Sequence, residues 1–131
     1  MLSDKPPSLY ENKKTIVMIA RTPQPPYYAV IFSTIKAPAS ADENIAYESM
    51  AARMEELAKA QPGYLGMETA RNETGITVSY WKTLRDIEHW KQHSEHLIAQ
   101  QMGREHLYSA YTTRVCLVER DYSFNKILGK F

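Results

Sequence analysis

The chain switches between two hydrophobic periods, and the switches mark its elements. YYAVIFSTIK (Tyr27–Lys36) is rich in β-branched and aromatic residues and reads as a strand. Ala29, Ile31 and Ile35 fall on one face and Tyr28, Val30 and Phe32 on the other, so both faces are expected to be buried. APASADEN breaks that pattern. Ser40 or Asp42 can cap the helix that follows, and Asp42 and Glu43 suit its first turn. Tyr47, Met50, Ala51, Met54, Leu57 and Ala58 recur at helical spacing as far as about Gln61, where Pro62-Gly63 stops the helix.

YLGMETAR and GITVSYW then read as a hairpin punctuated by Asn72-Glu73-Thr74-Gly75. A second helical stretch carries Ile87, Trp90, Leu97, Ile98 and Met102, with a break expected near residues 92–94 and a stop at Gly103. A long strand follows from about Leu107 to Val118, again apolar on both sides. The order is βαββαβ in one α+β domain spanning residues 27–124. Residues 1–26 form a polar extension in which TIVMIA has the pattern of a short extra strand, and 125–131 form a tail.

Two helices cover only one face of a four-stranded sheet, yet these strands are apolar on both. A second copy of the chain is therefore expected on the open face, since a stable interface needs about 800 Å² per partner. The alternative is a monomer whose N-terminal segment or C-terminal tail folds over that face.

Composition narrows the function classes. The chain has 131 residues and a net charge of +1, which gives no footprint for nucleic acid or an anionic membrane surface. No apolar run is long enough to span a bilayer. The single Cys116 excludes an intrachain disulfide, and the cytoplasm is the simplest compartment. Cys116 also lies in an apolar strand, a poor setting for a reactive thiolate. There is no phosphate-binding glycine loop and no nucleophile elbow.

His89, His93 and His96 share one stripe of the second helix. Such spacing can hold a transition metal or heme iron, but no carboxylate or Cys stands at a recognised offset. The stripe reads first as a solvated or half-buried face, with His93 or His96 the one that would line a cleft. No metal site is expected.

YYAVIFSTIK, GYLG, GITVSYWKTLRDIEHWKQHSEHLIAQQMGRE and YSAYTTRVCLVERDYSF together resemble the antibiotic biosynthesis monooxygenase superfamily. The resemblance implies a dimeric α/β barrel of two ferredoxin-like subunits, each with a cleft between sheet and helices. It implies cofactor-independent oxidation of an aromatic or phenolic small molecule, with a non-catalytic, ligand-binding or stress-associated dimer as the alternative. Heme-degrading relatives press a Trp of this helix on the ring, with a His further along as iron ligand and a strand Asn. Here Trp90 is present, but Gln100 stands in the place of the His and the first strand offers Ser33 and Thr34 without Asn.

An oxygenase of this kind needs a dry cavity and polar groups that steady a phenolate or carbanion. His93, Trp90 and Tyr111 are the candidates for the chemistry. Trp81, Tyr80, His96, Phe32, Tyr108 and Arg114 are the candidates for binding the substrate, Arg114 as the cation that offsets an anionic intermediate.

Overall fold

A computed structural model describes residues 19–101 and 104–126. The order is β1 (Tyr27–Lys36), α1 (Ala41–Lys59), β2 (Tyr64–Arg71), β3 (Gly75–Trp81), α2 (Leu84–Gln101), a single turn α3 (Arg104–Leu107) and β4 (Tyr108–Val118). All strand pairs are antiparallel, in the order β2-β3-β1-β4. This is the βαββαβ order that the alternation predicts, in the ferredoxin-like arrangement that the resemblance implies.

Local chemistry sets the boundaries. Ser40 is the N-cap of α1: its Oγ accepts from the Glu43 amide at 3.2 Å, and the Glu43 carboxylate accepts from the Ser40 amide at 2.8 Å. Those two hydrogen bonds hold the Glu43 carboxyl below its usual pKa. Gly63 turns the chain from α1 into β2 with φ +82°, and a Cβ there would run into the Asp86 side chain. α2 runs unbroken through residues 92–94, contrary to the expected break. That stretch has neither Gly nor Pro, and the Ser94 hydroxyl donates back to the Lys91 carbonyl at 3.1 Å within the helix. The stop expected at Gly103 lies outside the described residues.

Register assigns every strand residue to a face. Val30 pairs with Ser79 and Val115, and Phe32 with Thr77 and Thr113. These side chains face the helices together with Met67, Thr69 and Arg71 of β2. The core on this side centres on fully buried Trp81 and Leu107, with Met50, Ala58 and Ile87.

The opposite face carries Tyr27, Ala29, Ile31, Ser33 and Ile35 of β1 beside Ile76, Val78 and Tyr80 of β3. One end of it is covered from within the chain. The Ala20 amide donates to Glu68 at 2.9 Å, the Tyr80 hydroxyl donates to the same carboxylate at 2.7 Å, and Gly66 has no side chain to obstruct Ala20. The Tyr27 hydroxyl donates to Asp121 at 2.6 Å and accepts from Thr22 at 2.8 Å. Residues 15–18 of the expected extra strand lie outside the described residues. Ile19 and Ala20 are not in a strand, because the Ala20 amide bonds a carboxylate instead of a ladder.

Burial of both faces of β1 holds only at this covered end. Ile35 is 43 % exposed and Ile76 42 %. β4 is more open still: Val115 and Leu117 are about half exposed, at 51 % and 49 %. It is the edge strand, and the helices pack mainly over β2 and β3. Among the described residues no helix is long and apolar enough to cross a membrane.

Candidate functional site

The helices stand off the β1–β4 side of the sheet and leave a cavity of about 510 Å³. That size suits a small organic ligand. The sheet floor is Val30, Phe32, Met67 and Ser79, and the helices contribute Tyr47, Met50, Ile87, Trp90 and Ile98.

An aromatic cluster forms one wall. Phe32 meets Tyr108 edge-on at 5.5 Å and Tyr111 at 5.4 Å between centroids, and Tyr108 also meets Tyr47 at 6.2 Å. Edge-to-face contacts of this kind fix ring orientation as well as filling space. Burial pushes the Tyr108 phenol up to about 12, with neighbouring Tyr47 and Tyr111 adding to the rise and Arg71 opposing it. Tyr108 is thus a neutral hydrogen-bond donor at any physiological pH. Trp90 forms another wall. It stacks at 6.2 Å on Trp81, whose indole donates to Ser79 Oγ at 2.8 Å.

Polar groups sit at the two ends. At the β2–β3 hairpin end, Arg71 Nη2 donates to Thr34 Oγ1 at 2.6 Å and to the Tyr47 hydroxyl at 3.1 Å. The Arg71 guanidinium lies over Gly75, where any Cβ would collide with it. At the other end Glu55 borders the opening, and Glu95 borders it farther along α2. Burial raises the nearby Tyr64 phenol, and the Glu55 charge raises it further.

The sequence candidates divide into three groups. Phe32, Trp90, Tyr108 and Tyr111 line the cavity together. Trp81 lies behind the wall, fully buried, as the support for Trp90. The rest stand apart. His93 is exposed and stacks at 5.7 Å on Trp90, His96 is exposed, and Tyr80 and Arg114 belong to the opposite face of the sheet. None of the described wall residues is a His or Cys, the side chains that most often bind heme iron. Among the described residues no group of three His, Cys, Asp or Glu side chains could hold a metal ion.

Sequence reasoning missed Arg71, Thr34 and Tyr47. The signal for Arg71 was parity: it stands two and four residues beyond Thr69 and Met67, on the face that β2 turns to the helices.

No protein-family model matches the chain. It is 44 % identical over 110 residues to the uncharacterized protein YqjZ of Bacillus subtilis, covering 82 % of this chain and 93 % of that one. Among solved structures, PA3566 of Pseudomonas aeruginosa superimposes with a TM-score of 0.56 at 17 % identity, over 76 % of this chain and 98 % of that one. SnoaB of Streptomyces nogalater, described as a cofactor-independent oxygenase, gives 0.54 at 10 % identity over 72 % and 95 %. A Chloroflexus aurantiacus protein named for antibiotic biosynthesis monooxygenase gives 0.54 at 14 % identity over 74 % and 97 %. At these identities the structural likenesses establish the fold.

Proposed function

We propose, for a chain that belongs to the antibiotic biosynthesis monooxygenase superfamily, that the cavity between sheet and helices holds an aromatic or phenolic small molecule and presents it to dioxygen without a cofactor. The observation that carries this reading is the joint placement of Phe32, Trp90, Tyr108 and Tyr111 around one space of about 510 Å³. The cofactor independence of SnoaB, a protein of the same fold, supports the same chemistry here.

The reaction balances with dioxygen alone. A phenol loses its hydroxyl hydrogen and one ring hydrogen, takes one oxygen atom as a new carbonyl, and the second oxygen leaves with both hydrogens as water. The product is a quinone. Apolar walls exclude bulk water from the ring, and the neutral Tyr108 hydroxyl can donate to oxygen charge that develops on it. Glu55 and Glu95, the carboxylates among the described wall residues, are the candidate acceptors of the phenolic proton.

We extend the proposal to a homodimer. Ile31, Ile35, Ile76 and Val78 remain beside the segment that Glu68 and Asp121 hold down, and their exposed apolar surface calls for a partner. A second copy of the chain satisfies it symmetrically.

A second reading, a ligand-binding dimer without turnover, is favoured by one observation. His93 and His96, the imidazoles among the candidates for acid–base work, lie outside the cavity. An oxygen electrode separates the two. The oxygenase reading expects dioxygen uptake matched by quinone formation with phenols, insensitive to chelators and diminished in Tyr108→Phe. Ligand binding with no uptake above the uncatalysed rate would leave only the second reading.

A further inference from the structure

We infer that the Arg71 end of the cavity receives a carboxylate, so that the ligand is an aromatic acid held with its rings against Phe32, Trp90 and Tyr108 and its anionic group on the guanidinium. This rests on the cavity being a site for aromatic ligands, and it adds charge and orientation to that reading.

Arg71 is set up for such a role by four features. First, Thr34 Oγ1 and the Tyr47 hydroxyl take hydrogen bonds from one of its nitrogens, Nη2. Among the described residues Nε and Nη1, with their three N–H groups, have no acceptor, and no carboxylate pairs with the guanidinium. Second, those two anchors and the lack of a side chain at Gly75 fix the guanidinium across the end of the hairpin. Third, Lys36 adds positive charge at the same end, its ammonium 4.6 Å from the centroid of the Tyr47 ring. Fourth, at the far end of the cavity Glu55 is paired with Lys59 at 3.4 Å, and on α2 Lys91 and Glu95 offset one another. The net positive charge of the lining thus lies at the Arg71 end, and an anion is drawn there. Arg71 and Tyr64 lie at opposite ends of β2, about 23 Å apart along an extended strand, which leaves room for a ring system between them.

Arginine suits this position better than lysine. Its planar fork matches both oxygens of a carboxylate, and it stacks on aromatic rings; Cζ lies 5.7 Å from the Tyr47 centroid. A ligand whose acid group is coplanar with its ring system would use both properties.

The test compares 2-naphthoate with its neutral isostere 2-naphthamide, by calorimetry and by quenching of tryptophan fluorescence, on the full chain at neutral pH. In the wild-type protein the acid should bind roughly tenfold more tightly, and added salt should shrink that margin. Arg71→Met should bring the acid down to the affinity of the amide and leave the amide unchanged, with Arg71→Lys in between. Equal affinities in the wild-type protein would overturn the inference while leaving an aromatic site in place. So would an Arg71→Met variant that loses both ligands equally. If neither compound binds, the cavity reading itself falls. The wild-type comparison and its salt dependence decide the matter even if the Arg71 variants fail to fold.

Discussion

Tyr108 carries a phenol whose pKa is raised from 10.0 to about 12, first by burial against the cavity wall. Between those two values the unfolded chain has released the proton and the folded chain still holds it. Stability contributed by the neutral phenol is therefore complete below pH 10 and is lost as pH rises to about 12. A shift of this size corresponds to roughly 2–3 kcal/mol, a sizeable part of the 5–15 kcal/mol typical of a small domain. Tyr27, Tyr64 and Tyr80 are raised as well, so a raw alkaline melt mixes several groups. Comparison with Tyr108→Phe isolates this one. The wild-type protein should lose about 2–3 kcal/mol more than the variant across that window, read from urea melts at stepped pH. The tyrosinate absorbance missing from the variant should have its midpoint near pH 12. A midpoint at the ordinary value, with parallel losses in both proteins, would mean that water reaches the Tyr108 hydroxyl freely and that the wall is not dry.

Three further outcomes follow from the packing. Trp81→Phe removes the donor to buried Ser79 and thins the support behind Trp90, and should cost about 2–4 kcal/mol in urea denaturation. Ile76→Asp places a charge on the open face and should convert a dimer to monomer by analytical ultracentrifugation without unfolding the domain; an unchanged mass would show that this face is not the interface. Glu68→Gln weakens the acceptor shared by the Ala20 amide and the Tyr80 hydroxyl, and should speed hydrogen exchange at Ala20 by roughly fivefold or more while the strand amides stay protected.

The fold was legible because alternation and helical spacing are direct consequences of one-sided burial. Ser40 with Glu43, Pro62-Gly63 and the hairpin punctuation then marked the ends of elements. The half-exposure of β4 was not legible, because apolar alternation does not reveal that a strand lies at the edge of the sheet, which depends on the order β2-β3-β1-β4. The site was legible where a residue sat on a core-facing stripe, as with Phe32 and Trp90. It was not legible for the His stripe. Ile87, Trp90, Ser94 and Ile98 turn to the cavity; at about 100° per residue His89 and His96 fall roughly 150° from the middle of that stripe, and His93 lies about 100° from it, stacked on the outer side of Trp90. A chemically suggestive cluster carried more weight there than its own helical phase allowed. Arg71 was overlooked for the opposite reason: an arginine at a strand end is ordinary until Thr34, Tyr47 and Gly75 are seen around it.

The most direct test of the central claim is a ¹H–¹⁵N correlation spectrum recorded while an aromatic ligand such as 2-naphthoate is added. The two indole N–H signals separate the wall from the core, since Trp90 lines the cavity and Trp81 is buried behind it with its N–H on Ser79. The account predicts the largest shifts at the Trp90 indole and at the amides of Phe32, Arg71 and Tyr108, with Ile31, Ile35 and Ile76 on the far face unmoved. Shifts gathered on that far face, with the Trp90 indole still in place, would contradict it.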